Sequence, residues 1–86
     1  MKLFRDIMLK IDMDNAPELA RVCNECDFDI NVMDGRVCID GKSIMGVMEM
    51  VGHIVLLVPV TNDWFEAEKF YRLVKPLGAY KKEGFL

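Results

Sequence analysis

The groups in this sequence that could do chemistry are three cysteines, one histidine, a scatter of aspartates and a serine at a predicted helix start. Cys23-Asn24-Glu25-Cys26 is a CxxC spacing, which serves redox or metal chemistry in many proteins. Reactive CxxC pairs gain acidity at a helix N-terminus, where the dipole favours thiolate. Here Leu19, Val22, Cys23 and Cys26 recur at i, i+3, i+4 and i+7, which puts the pair on the apolar stripe near a helix C-terminus, where the dipole opposes thiolate. Cys38 is predicted on the far side of a sheet and His53 at a strand start, so no four-ligand zinc set converges. Core packing is the expected role of Cys23 and Cys26, with no metal and no cofactor.

His53 has no serine or cysteine placed beside it by spacing and reads as a turn residue. Asp12, Asp14, Asp27, Asp29, Asp34 and Asp40 fall at caps, turns or outward strand positions. Neither a nucleophile–base–orienter set nor a glycine-rich phosphate cradle is present, so the chain is not expected to be an enzyme. The segment Gly41-Lys42-Ser43-Ile44-Met45-Gly46-Val47-Met48-Glu49-Met50 is different. It places Ser43 at the N-cap of a short helix, with Met45, Met48 and Ile44 near the surface. Free amides and the positive dipole end would stabilise a phosphate on Ser43, and flexible thioethers would make an adaptable docking patch. The plainer reading is that Ser43 only caps the helix and the methionines pack on the sheet.

Composition narrows the partners. The 86 residues are 52% hydrophobic and 29% charged, which suits one small globular domain with a thin core. A net charge of -3, from 14 acidic against 11 basic residues, and no basic run beyond Lys81-Lys82 argue against direct nucleic-acid binding. The longest apolar run, residues 54–60, is far short of a bilayer span. Met1-Lys2-Leu3-Phe4-Arg5-Asp6 is charged too early for a signal peptide, so a cytoplasmic chain with reduced thiols is expected.

The elements follow from periodicity. Residues 2–11 read as a strand, with Leu3, Ile7, Leu9 and Ile11 on one side and Phe4 and Met8 on the other. Asp14-Asn15-Ala16-Pro17 starts a helix, with Asp14 or Asn15 accepting orphan amides and Pro17 in the first turn. Residues 27–34 alternate, Phe28, Ile30 and Val32 facing one way. Asp34-Gly35 suits a type I′ hairpin, which would pair Met33 with Arg36, Val32 with Val37, Asn31 with Cys38 and Ile30 with Ile39. Ser43 opens a second helix closed near Gly52, residues 53–60 form an interior strand ending at Pro59, and Asp63 with Glu66 has capping-box spacing for a third helix. The inner face of that helix is expected at Trp64, Ala67, Phe70, Tyr71 and Val74, with Glu68–Arg72 as an outer pair. Pro76 and Gly78 stop it. Residues 1–78 then form the domain and residues 79–86 a loosely held tail. The order β-α-β-β-α-β-α predicts an α+β open-faced β-sandwich: a four-stranded, mostly antiparallel sheet with three helices on one face.

At Lys42-Ser43-Ile44-Met45-Gly46-Val47-Met48 the sequence resembles the regulatory-serine motif of the HPr family, the small histidine phosphocarriers of the bacterial sugar phosphotransferase system. The likeness covers residues 27–75, where the hairpin, the strand 54–60 and the final helix fall in the family's order. Members that carry phosphate have histidine followed by Ala-Arg-Pro at the first helix. Here that stretch reads Asp14-Asn15-Ala16-Pro17, keeping only the proline, so the resemblance implies that phosphocarrier activity is lost.

An HPr-like chain with the serine and without the histidine resembles the Crh-type proteins. That likeness implies a regulatory protein of carbon catabolite control, phosphorylated on Ser43 by HPr kinase/phosphorylase. Lys42, Ile44, Met45 and Met48 would then dock the kinase or a LacI-type catabolite regulator. The alternative is an HPr-fold interaction module that is never phosphorylated. Crh-type proteins can exchange their first strand between chains, so the resemblance allows a homodimer.

Overall fold

The computed structural model describes residues 4–82. Its elements run β1 (Ile7–Lys10), α1 (Asn15–Asn24), β2 (Ile30–Asp34), β3 (Val37–Asp40), α2 (Ile44–Met48), β4 (Ile54–Pro59), α3 (Trp64–Val74), a 3₁₀ turn (Lys75–Leu77) and β5 (Tyr80–Lys81). The strands make one sheet of order β3-β2-β4-β1-β5, and every neighbouring pair is antiparallel. On one face, Ile7, Leu9, Ile30, Val32, Val55 and Leu57 are buried beneath Leu19, Cys23, Val47, Phe70 and Val74 of the helices. This is the open-faced α+β sandwich expected from the sequence, with one strand more.

The fifth strand is a correction. Residues 80–81, read as part of a loose tail, pair with β1 through Ile7↔Lys81 and Met8↔Tyr80. Gly78, with φ at +111°, turns the chain back to that edge, a conformation glycine alone takes readily. The first strand is shorter than the expected 2–11, and its expected Leu3 lies outside the described residues.

The β2–β3 register also differs from expectation. A type I′ turn needs positive φ at both central residues, and only Gly35 has it, at +60°. Asp34 therefore stays in the ladder opposite Val37, and Gly35-Arg36 forms the loop, with glycine at the first central position as type II′ turns require. Val32 meets Ile39 and Met33 meets Cys38. The partner of each β2 residue moves by two positions, so the apolar faces still match.

Three helix details depart from expectation. The amides at the start of α1 are capped by neither Asp14 nor Asn15: Asp12 Oδ1 accepts from Asp14 N at 2.8 Å and Asn15 N at 2.7 Å, and Asp14 makes no side-chain cap. Asp63 accepts from Phe65 N and Glu66 N, but its own amide donates to Thr61 Oγ1 rather than to Glu66, so the capping box is half formed. Trp64 is exposed, because it sits about a quarter-turn from the Ala67-Phe70-Val74 stripe that does pack inward. Glu68 turns to Lys81 at 3.4 Å instead of Arg72.

Because Asp12 holds two first-turn amides, Asp12→Ala should cost about 1 kcal/mol in urea denaturation. Asp14→Ala should stay within about 0.5 kcal/mol of the parent.

Candidate functional site

Ser43 is held at the surface by a short chain of local contacts. Its amide donates to Asp40 O at 3.0 Å, and Asp40 Oδ1 accepts from Lys42 N at 2.9 Å, which closes a tight turn after β3. Ser43 is extended, with φ −93° and ψ 109°, and its Oγ accepts the Gly46 amide at 3.2 Å, an N-cap for the five-residue α2. The hydroxyl residue is exposed, as are Ile44 and Met45, the latter by 76%. Met48 is half-buried against the core, and Val47 is buried. Ser43, Ile44 and Met45 thus come together on one exposed helix start, while Met48 divides its surface between solvent and sheet.

The turn is clasped to the end of α1 by residues that sequence reasoning missed. Asn24 Nδ2 donates to Lys42 O at 2.9 Å. Lys42 Nζ, expected to face partners, donates to Cys26 O at 3.0 Å, satisfying a carbonyl just past the helix end. Gly41 is buried and its amide donates to Ile30 O at 2.8 Å; a Cβ there would stand 2.9 Å from Cys23 Sγ and 3.0 Å from Ile30 O. No spacing rule announces these contacts, because Asn24 and Gly41 act across 18 and 11 residues of chain.

The stretch Asp14-Asn15-Ala16-Pro17 is split between surface and core. Asp14 and Pro17 are exposed, while Ala16 and Asn15 are buried. Asn15 Nδ2 donates to Lys10 O at 2.9 Å and Leu77 O at 3.2 Å, and its Oδ1 accepts Asp12 N at 2.8 Å. The one histidine, His53, lies instead before β4, where its Nδ1 stands 2.6 Å from Asp34 Oδ2. Sequence spacing did not reveal that pair, since the long-range β2–β4 pairing brings it together. Among the described residues no serine or cysteine hydrogen-bonds to it.

The cysteines are unpaired and spread out: Cys23 buried, Cys26 half-buried rather than fully on the inner stripe, Cys38 exposed. Burial, reinforced by the neighbouring Cys26, pushes the Cys23 thiol up to about 12, and burial also raises Cys26. Both effects oppose the thiolate that redox exchange or metal ligation needs. No group of three or more potential metal ligands occurs among the described residues.

The fold and this site can be set beside known proteins. No family model matches the chain, and a comparison with curated proteins finds no relative. Among solved structures, HPr-C-His from Thermoanaerobacter tengcongensis is similar, with 23% sequence identity and a TM-score of 0.61 over 86% of this chain and 90% of that chain. The fold is therefore HPr-like. Among the described residues no helix is long and apolar enough to cross a membrane.

Two outcomes follow from the packing. A thiol reagent should label Cys38 first, Cys26 slowly and Cys23 only on unfolding. The Cys23 thiol is favoured by the fold in its neutral form, so its contribution to stability is intact below pH 9.0, the ordinary value, and is lost as pH rises through about 12; Cys23→Ala should flatten that decline in alkaline denaturation curves. Separately, Gly41→Ala should destabilise by about 1–3 kcal/mol through overpacking, read from its urea midpoint.

Proposed function

We propose that this chain is a non-catalytic, HPr-like regulatory protein switched by phosphorylation of Ser43, without histidine phosphocarrier activity. The observation that carries the reading is the exposed Ser43 hydroxyl at the start of α2, beside exposed Ile44 and Met45. A phosphate adds about −1.5 to −2 charge and three acceptor oxygens. The first amides of a helix have no intrahelical acceptor, so those oxygens are received without loss of the fold. What changes is the partner surface: an apolar patch becomes an apolar patch with an anion at its rim, suited to a basic docking face. HPr kinase/phosphorylase and a LacI-type catabolite regulator are the proposed partners, in the cytoplasm. The carrier stretch supports the same reading, because Asp14-Asn15-Ala16-Pro17 offers no imidazole and His53 is tied to Asp34 far along the chain.

A second reading is favoured by one specific observation. Ser43 Oγ already serves Gly46 N, so the serine has a structural task without any phosphate. In that case the chain is an unphosphorylated interaction module acting through Met45 and Met48.

Incubated with an active HPr kinase and ATP, the protein should gain a single phosphate by mass spectrometry, and Ser43→Ala should abolish it. Absence of any mass gain, with the kinase modifying a control HPr in the same tube, would discard the first reading. Identical partner capture by the parent and Ser43→Ala would then favour the second.

A further inference from the structure

Charge is divided unevenly along this chain. Residues 64–82 hold five basic side chains against two acidic ones, a net +3, while residues 4–63 hold five basic against eleven acidic, a net −6. The fold gathers the positive part on the outer face of α3. Lys81 of β5 lies against this helix, 3.4 Å from Glu68 and 4.8 Å from the Tyr71 ring, and so neutralises Glu68. Lys69, Arg72 and Lys75 are exposed and enter no ion pair among the described residues. At about 100° of turn per residue, Phe65, Lys69 and Arg72 lie within about 60° of one another, opposite the buried Ala67, Phe70 and Val74. Trp64 and Phe65 are each 64% exposed, and a depression of about 280 Å³ is lined by Trp64, Phe65, Glu68, Lys69 and Arg72. Aromatic surface left in water and rimmed by unpaired cations has the character of an interaction site.

The chemistry of this face selects its occupant. A nucleic acid is held by many phosphate contacts, and three free cations beside a strongly acidic remainder supply too few. A bilayer surface takes up a broad apolar face and offers no single side chain to fill a hollow. A helical segment with an apolar stripe edged by carboxylates brings both parts: an apolar side chain for the depression beside Trp64 and Phe65, and carboxylates for Lys69 and Arg72. The Arg72 guanidinium can take a carboxylate on two parallel hydrogen bonds, while Lys69 acts as a point charge. We propose that the outer face of α3 docks an acidic amphipathic helix of a partner protein. The acidic remainder of the chain repels the same segment, so charge selects this face over the others. Docking here does not depend on whether Ser43 is modified.

Trp64 is the one tryptophan of the chain, so its emission reports on this face. The probe is a synthetic peptide of about five helical turns, with leucine at i, i+3, i+4 and i+7 and glutamate along both edges. Titrated into the protein, it should shift the Trp64 emission to the blue and saturate. Replacing its glutamates by glutamine should weaken binding by about tenfold or more, and added salt should weaken the glutamate peptide alone. Lys69→Glu combined with Arg72→Glu should cost a similar factor, and Phe65→Ser should weaken binding with an unchanged circular dichroism spectrum. Arg36→Glu, which removes a cation from the β2–β3 turn, should leave binding as it is. A blue shift with anionic phosphatidylglycerol vesicles and none with the peptide would assign the face to a membrane and overturn the proposal. Equal binding of the glutamate and glutamine peptides, indifference to the double variant, or no shift with any probe would overturn it as well.

Discussion

The side chain of Asn15 ties three separate pieces of chain together, and the layout of the helix layer depends on it. Its amide group donates to the carbonyl at the end of β1 and to a carbonyl of the 3₁₀ turn after α3, while its oxygen accepts the amide of Asp12. The residue is buried, so each of these groups would otherwise be stranded away from water. The start of α1 is thereby locked to both ends of the molecule: to the first strand and to the segment that leads into the last. Pairing of β5 with β1 follows directly, since the 3₁₀ turn must lie against α1 for Gly78 to reverse the chain towards that edge.

The same lock accounts for the character of the stretch Asp14-Asn15-Ala16-Pro17. An imidazole that accepts and passes on phosphate has to be accessible, and the neighbouring backbone amides have to point outward to receive the charge. Here Asp12 Oδ1 occupies the amides of Asp14 and Asn15, and the side chain of Asn15 is turned inward as a clamp. At the other end of α1, Asn24 and the Cys26 carbonyl hold the turn that presents Ser43. One helix therefore anchors the core with its first turn and positions the candidate site with its last.

Much of this was legible beforehand, and the failures have specific causes. The 3.6-residue stripe of α1, the alternation of β2 and the unbroken apolar run of β4 named their elements, because each reports burial that a single residue period encodes. The serine was legible as a cap because its type and the apolar residues after it are local signals. What failed depended on partners distant in sequence. The hairpin turned one residue later than Asp34-Gly35 suggested, since only glycine adopts positive φ here and Asp34 is engaged by His53. Trp64 lay inside the helical pattern yet outside the buried arc, because the arc is set by the sheet beneath and not by hydrophobicity. Tyr80 and Lys81 carry no strand pattern over two residues, and become a strand only because β1 offers an open edge.

A five-residue helix has too little length to orient its own first residue, since nucleating a turn is unfavourable and one or two internal hydrogen bonds do not offset it. The position of Ser43 must therefore come from what surrounds α2. Gly41 pressed on Cys23 and Ile30, Val47 buried beneath, and the Asn24 clasp together fix both sides of the serine while leaving its hydroxyl in water. A charge added to that hydroxyl meets a rigid support and a solvent-facing patch, so its effect falls on the surface a partner would read and not on the core. α3 differs in kind. Its eleven residues are held to the core by Ala67, Phe70 and Val74, while Trp64 and Phe65 stay exposed on its outer side. Aromatic residues on that outer side add nothing to the core, and in water they raise the free energy of the isolated chain relative to polar residues at the same places.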